Sequence, residues 1–469
     1  MPVFRIFRHY IPASFILLGV LEALVFFLSF YAGMYLRFFG DIDAITVNFG
    51  TLWPKALVYT SIMMFCMIAI GLYDRTAWSL EGRSAMLLRV LASFVLAVFP
   101  LSFLFYIAPV TLLWRGATLL VLVVSLLGIV VSRLVFVSVV DQRVLRRRAL
   151  VLGAGKRASH IMQLEKELPL LGIEVVGYVH MDTDHEAMED HRVFLREKSL
   201  QEIVSERKID EIIIAVDDRR KGMPVHEILN CKMDGVNVLD MLSFFERETG
   251  RVKLNLVNPS WLFLSDGFRV SVSSAIAKRV FDIAVCLLLL PLFLPIMLIV
   301  AMAVWLESPG KGSVLYKQER IGRNNQPFTI YKFRSMRVDA ESDGQARWAQ
   351  KNDSRITRVG ALIRKGRLDE LPQVFNVLRG DMSFVGPRPE RPAFVEQLQA
   401  QYPYYRERHR MRPGLTGWAQ ISYQYGDSAE DAFRKLEYDL YYVKNYSIFI
   451  DLLILIHTIH VVLTGKGAH

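Results

Sequence analysis

Long apolar stretches alternate with short polar loops over the first 140 positions, and that pattern predicts helices that cross a bilayer. Residues 11–36 carry a single charge, Glu22, and are long enough for the roughly 30 Å hydrocarbon core. Three more runs follow at residues 56–73, 90–110 with Pro100 inside, and 116–140, interrupted only by Arg133. The first run is too long for the apolar segment of a signal peptide, and no small-residue cleavage pattern follows it. A four-helix transmembrane bundle is therefore expected over residues 1–145.

The basic residues orient it. Arg5 and Arg8 precede the first span, Arg75, Arg83 and Arg89 lie between the second and third, and Arg143, Arg146, Arg147 and Arg148 follow the fourth. The other two loops hold only Arg37 and Lys55, then Arg115, so both ends of the bundle are expected on the cytoplasmic side. A fifth apolar run, residues 283–306, has no charge but contains Pro291 and Pro295, each of which removes a backbone donor and crowds the preceding turn. Both flanks are basic, with Lys278 and Arg279 before and Lys311, Lys317, Arg320 and Arg323 after. A helix that enters at about residue 280, breaks at the two prolines and returns by residue 306 satisfies both facts; a kinked ordinary span is the alternative. The late run 448–463 holds Asp451, His457 and His460, too polar for a clean span and suited to a helix lying in the interface.

Between these membrane elements, residues 146–265 turn soluble. Apolar strands at 149–152, 174–179, 211–216 and 236–240 alternate with helical stretches, which predicts a Rossmann-like parallel α/β domain. Its first strand runs into Gly153, Gly155 and Ala158, a G-x-G-x-x-A turn of the kind that lets a backbone approach a pyrophosphate. Nucleotide binding and plain packing of the turn both remain open, because no acid ends the next strand at Val179. Asp182, His185 and His191 read as a solvated loop rather than a metal site.

Composition then narrows the partners. The 469 residues are 52% hydrophobic yet carry 56 Lys and Arg against 46 Asp and Glu, a net +10, which calls for an anionic partner or surface. Three cysteines in no metal or redox spacing exclude a disulfide scaffold and a cysteine metal site. Residues 311–367 hold 14 Lys and Arg against five acids, a net +9, directly after the fifth apolar run. Attraction to anionic lipid would account for part of that charge. The segment just beyond it carries a sharper signal. Pro372 to Arg379 with Gly380 behind reads as a short helix, placing Asp369 and Glu370 just before its N-terminus, where the dipole and nearby Arg364 and Arg367 favour ionised carboxylates. Such a carboxylate can attack phosphorus or hold magnesium; two acids that merely cap the helix are the alternative. Pro387 and Pro389 fix the backbone around Arg388, a rigid mount for a guanidinium that forks onto phosphate.

KRVFDIAV, ESPGKGSVLYKQERIGR, YKFRSM, RLDELPQVFNVLRGDMSFVGPRPERP, RPGLTGWAQ and KLEYDLYYVKN, in that order from about Ala277 to His469, closely resemble the monotopic polyprenyl-phosphate phosphoglycosyl transferases. These bacterial enzymes start exopolysaccharide, capsule or O-antigen assembly. The bundle and the α/β domain resemble the long members of that family more weakly. The resemblance implies a mainly α-helical α+β catalytic domain over residues 266–469 with a re-entrant membrane helix over 280–306. It implies that Asp369 attacks the sugar-bearing phosphate of a UDP-sugar, releasing UMP, and that undecaprenyl phosphate then takes the phosphosugar. Glu370 completes the family's Asp-Glu pair, which implies that it orients Asp369, activates the lipid phosphate or, with Asp369, holds Mg2+. Arg388, and also Lys332 and Arg334 of YKFRSM, are expected at substrate phosphate or nucleotide. The implied setting is the bacterial inner membrane with the catalytic domain cytoplasmic, as a homodimer in contact with membrane lipid and downstream glycosyltransferases. Here Leu290-Pro291 stands where many members have Ser-Pro.

Two other readings compete. A membrane nucleotide-sugar dehydratase or epimerase needs a Tyr with Lys four residues on, and no tyrosine from Tyr316 onward has one. A non-enzymatic scaffold would bind nucleotide at the glycine turn and partners through the basic stretch. Nucleic acid is not an expected partner, because the basic block is fused to a membrane segment and followed by an acid pair.

Overall fold

The computed structural model describes residues 3–6, 8–73, 83–109, 113–141, 146–167, 173–181, 184, 190, 192–194, 198–218, 222–257, 261, 265, 267–268, 271–309, 312–338, 340, 353, 355–423 and 428–464. Asp182, His185 and His191 of the middle loop, and Lys311, Arg347 and Lys351 of the basic stretch, lie outside the described residues. The chain divides into two compact units, one holding nearly all of residues 1–249 and the other residues 250–469 with a short N-terminal piece.

In the first unit the expected spans are helices α1 (Ala13–Arg37), α3 (Trp53–Ala69), α4 (Arg83–Ile107) and α5 (Arg115–Asp141). The loop after α1 contains a helix the apolar pattern did not announce, α2 (Ile42–Phe49), capped by Asp41. Segments Ala13–Arg37, Ala85–Ile107 and Arg115–Phe136 are each long and apolar enough to cross a membrane, whereas α3 reaches that length only together with α2, across a 77° bend. Small residues let α1 and α5 touch: a Cβ on Gly33 would lie 2.6 Å from the Val121 backbone.

The one charge of α1 has a partner. Glu22 and Arg133 are both fully buried and pair at 2.7 Å. The same guanidinium donates to Glu22 Oε2 at 3.1 Å and to the Leu72 carbonyl at 3.3 Å, and the Tyr73 hydroxyl donates to Glu22. Removing one member of a buried pair leaves an uncompensated charge at a cost of about 3–5 kcal/mol. Glu22→Ala is expected to lower the thermal unfolding temperature in detergent, and the Glu22→Ala, Arg133→Leu double variant to recover part of the loss; an unchanged single variant would show the pair to be idle.

Residues 147–249 form the parallel α/β fold expected from the alternation. Strands β1 (Arg147–Leu152), β2 (Ile173–Val179), β3 (Val193–Phe194), β4 (Glu211–Ile214) and β5 (Asn237–Asp240) lie in the order β3-β2-β1-β4-β5, with every pairing parallel. That is the doubly wound dinucleotide-binding order without its sixth strand, with helix α6 (Lys156–Glu167) following β1.

In the second unit, Val252, Leu254, Val257 and Trp261, which composition placed with the α/β domain, belong to the core of that unit. The fifth apolar run is helix α7 (Val272–Glu307), and it passes through Pro291 and Pro295 without interruption. The expected break at those prolines is absent as a gap in the helix, because apolar helix formers continue on either side. Lys278, Asp282, Cys286, Met297, Val300 and Val304 are its buried residues, a single stripe at helical spacing. Leu288, Leu298, Ile299 and Met302 on other faces are exposed.

KRVFD at the head of α7 is an anchor. Lys278 pairs with buried Asp451 at 2.8 Å, Arg279 donates to the carbonyls of Val377 at 2.5 Å and Leu378 at 2.6 Å, and Asp282 accepts from Ser383 Oγ and the Phe384 amide. Two residues that read as a basic lipid-facing flank are thus committed inside the protein. So is Asp451, which made the late run look interfacial. It lies in helix α8 (Ile448–Thr464) and also accepts a hydrogen bond from Tyr442 at 2.7 Å.

Candidate active site

The site is assembled from four short pieces of the second unit. Strands β6 (Leu315–Ile321) and β7 (Pro327–Phe333) form an antiparallel hairpin that carries Arg320 and Lys332. Arg367, at φ +52°, turns the chain out of helix α9 (Arg358–Lys365) into a 3-10 turn, Leu368–Gln373, which runs directly into helix α10 (Val374–Arg379). Asp369 and Glu370 therefore sit inside a tight first turn rather than ahead of a helix beginning at Pro372, since the i to i+3 bonding starts one turn earlier than proline placement suggests. Gly380, at φ +98°, closes α10 as expected. Asn376 ties α10 to β7: its amide donates to the Thr329 carbonyl at 2.7 Å and its oxygen accepts from the Tyr331 amide at 3.2 Å.

Glu370 is where the pieces meet. Its Oε1 lies 2.8 Å from Lys332 Nζ and 2.6 Å from the Arg388 guanidinium, and Arg388 makes a second, longer bond to Oε2 at 3.4 Å. Burial would raise this carboxyl, but Arg388, Lys332 and Arg367 overcome it and hold Glu370 well below the usual range. Asp369 goes the other way. Burial and then the Glu370 charge push it above the usual range against Lys332, Arg364 and Arg388. Glu370 takes up the basic partners, which leaves Asp369 the more basic oxygen of the pair.

Arg388 and Lys332 thus meet a protein carboxylate directly. Together with Arg334, Arg364, Arg367 and Asp369 they line a cleft of about 810 Å³, within the range of small-molecule sites. Its basic lining and its carboxylate pair suit a diphosphate that must be approached by an anion.

Sequence reasoning missed what holds Arg388. Four successive carbonyls of the surrounding segment each have a donor: Pro387 from the Gly414 amide at 3.0 Å, Arg388 from Arg408 at 2.9 Å, Pro389 from Arg320 at 3.1 Å and Glu390 from the Ile321 amide at 2.9 Å. Arg408 is buried, pairs with Asp439 at 2.8 Å and donates to the Tyr405 hydroxyl at 2.7 Å. Nothing in YRERHRMR separates Arg408 from its exposed neighbours, because only the fold turns one of those cations inward.

A family model described as bacterial sugar transferase matches residues 273–465, and one described as a CoA-binding domain matches residues 69–239. The UDP-glucose:undecaprenyl-phosphate glucose-1-phosphate transferase of Escherichia coli (strain K12) is 33% identical over 329 residues, 69% of each chain. The chain belongs to the bacterial sugar transferases. The resemblance read from the motifs is borne out, and this transferase has further relatives with different sugars in their names. The UDP-N-acetylgalactosamine-undecaprenyl-phosphate N-acetylgalactosaminephosphotransferase of Aeromonas hydrophila is 44% identical over 252 residues, 54% of this chain and 58% of that protein. The UDP-galactose-lipid carrier transferase of Erwinia amylovora is 32% identical over 359 residues, 69% of this chain and 70% of that protein.

If the carbonyl clamps set the aim of Arg388, Arg408→Lys keeps a charge beside Asp439 but cannot reach Tyr405, Asp439 and the Arg388 carbonyl together. Turnover of this transferase is expected to fall about 100-fold with little change in unfolding temperature; equal losses in both would assign Arg408 to stability alone.

Proposed function

We propose that this transferase moves a sugar 1-phosphate from a UDP-sugar to a polyprenyl phosphate, undecaprenyl phosphate, through an aspartyl-phosphosugar intermediate. The observation that carries the reading is the division of labour at the acid pair, with Glu370 held by Lys332 and Arg388 and Asp369 left the more basic carboxylate in a cation-lined cleft. A carboxylate oxygen of Asp369 attacks the sugar-bearing phosphorus, the bond from that phosphorus to the bridging oxygen breaks, and UMP leaves with the electron pair. An oxygen of the polyprenyl phosphate then attacks the same phosphorus and Asp369 departs as carboxylate, leaving a polyprenyl diphosphate sugar. No proton has to be supplied in either step.

Arg388, Lys332 and Arg334 stabilise charge on the diphosphate, and Glu370 keeps the first two in place until substrate enters. The carboxylate pair also suits Mg2+, which takes one or two protein carboxylates and completes its shell with phosphate oxygens and water; among the described residues no larger cluster of His, Cys, Asp and Glu is available to a metal. When bound, the ion would offset negative charge between Asp369 and the diphosphate.

Incubating the detergent-solubilised protein with undecaprenyl phosphate, Mg2+ and a panel of UDP-sugars, and measuring UMP, tests the assignment. At least one sugar is expected to release UMP, with the rate lost in Asp369→Asn and on chelation. UMP release undiminished in Asp369→Asn would sink the aspartyl intermediate, and a scaffold would be indifferent to the substitution.

Two contacts of α7 support the membrane setting. Cys286 and Val304, on opposite sides of the two prolines, are both buried against the second unit, and Glu307 at the helix end accepts from the Val359 amide at 3.0 Å. On this reading both ends lie on one side of the bilayer, the cytoplasmic side of the bacterial inner membrane, with the exposed apolar face of α7 in one leaflet. The product would start exopolysaccharide, capsule or O-antigen assembly and pass to downstream glycosyltransferases, from a homodimer. Cysteines placed singly at Ile276 and Leu306, in a background lacking the native three, are both expected to react with an impermeant maleimide only from the cytoplasmic side; labelling from opposite sides would establish a crossing helix.

A further inference from the structure

The glycine turn of the α/β domain has the strand order, the helix and the spacing of a dinucleotide site, and the matched family model is described as CoA-binding. In such sites the free amides at the helix N-terminus receive a pyrophosphate. Here those amides are already taken. Asp217, three residues beyond β4, accepts from the Lys156 amide at 3.1 Å through Oδ2 and from the Arg157 amide at 2.9 Å through Oδ1. Asp184, beyond β2, accepts from the Ala154 amide at 2.7 Å and the Met181 amide at 2.9 Å. The Gly153 amide donates to the Val179 carbonyl at 2.9 Å.

The glycines fit this occupant. A Cβ on Gly155 would lie 2.1 Å from Asp217 Oδ2 and 3.2 Å from Asp184 Oδ1, and one on Gly153 would lie 2.7 Å from the Ala215 carbonyl oxygen. Gly153 is also at φ +112°. Each glycine is thus accounted for by the chain itself. Asp184 has a fully buried side chain, so it cannot swing aside into solvent without leaving two amides unpaired.

We infer that Asp217 and Asp184 are the built-in anions of this turn, and that the domain takes neither coenzyme A nor a dinucleotide at Gly153–Ala158. A diphosphate approaching the turn would meet two carboxylates, with the Ala154, Lys156 and Arg157 amides already bonded to them, so both charge and hydrogen bonding oppose it. The domain is then a structural module of the transferase, whose glycine pattern is kept by the need to seat Asp217 against the start of α6. This inference stands apart from the reaction assigned to the second unit.

Hydrogen exchange on the full-length protein in nanodiscs tests it locally. The amides of Ala154, Lys156 and Arg157 are expected to exchange slowly with no nucleotide present and to be unaffected by millimolar coenzyme A or NAD. Asp217→Ser and Gly155→Ala are each expected to speed their exchange, and Gly155→Ala to add nothing in the Asp217→Ser background, because both changes remove the same contact. Fast exchange in the native protein that slows on adding coenzyme A or NAD would overturn the inference. So would coenzyme A binding by equilibrium dialysis that Gly155→Ala abolishes, a result that needs only the native chain and one variant.

Discussion

An acid pair lies among cations at this site, and the surrounding segments of the second unit keep it there. Glu370 is held ionised by Lys332 and Arg388, which fixes both cations and leaves Asp369 the more basic acid. The arrangement depends on three chain segments keeping register to a few tenths of an ångström. Asn376 supplies one tie, between β7 and α10. The donors to the carbonyls of Pro387, Arg388, Pro389 and Glu390 supply another, and they immobilise a segment that has no regular secondary structure of its own.

The same economy governs α7. Its apolar surface divides between a stripe that packs on the catalytic core and a remainder that is exposed. Lys278, Arg279 and Asp282 at its head bond to α8, to the end of α10 and to the chain just after it. This long apolar helix and the turn that carries the acid pair are thus parts of one packed body.

The strand order and glycine spacing of the α/β domain are those of a nucleotide site, and yet Asp217 and Asp184 occupy the turn. A helix N-terminus needs acceptors whether or not a ligand supplies them; Asp217, beyond β4, meets that need at α6, while Asp184, beyond β2 on the other side of β1, holds the turn ahead of it.

Much of this was written in local sequence. Apolar length marked α1, α4, α5 and α7, alternation marked the parallel strands, and the spacing of proline and glycine marked the end of α10. The chemistry-bearing residues Asp369, Glu370, Arg388 and Lys332 were legible because charge and backbone-fixing residues cluster there, and their order matched a family pattern. What only the tertiary structure decided is which charges face each other. Arg408 and Arg406 look alike in sequence, Lys278 reads as a membrane flank, Asp451 reads as an interfacial acid, and Glu22 reads as a flaw in a span. Each acquires its role from a partner 31 to 173 positions away, and pairing over such separations is set by how the elements pack rather than by anything their neighbours in the chain can specify.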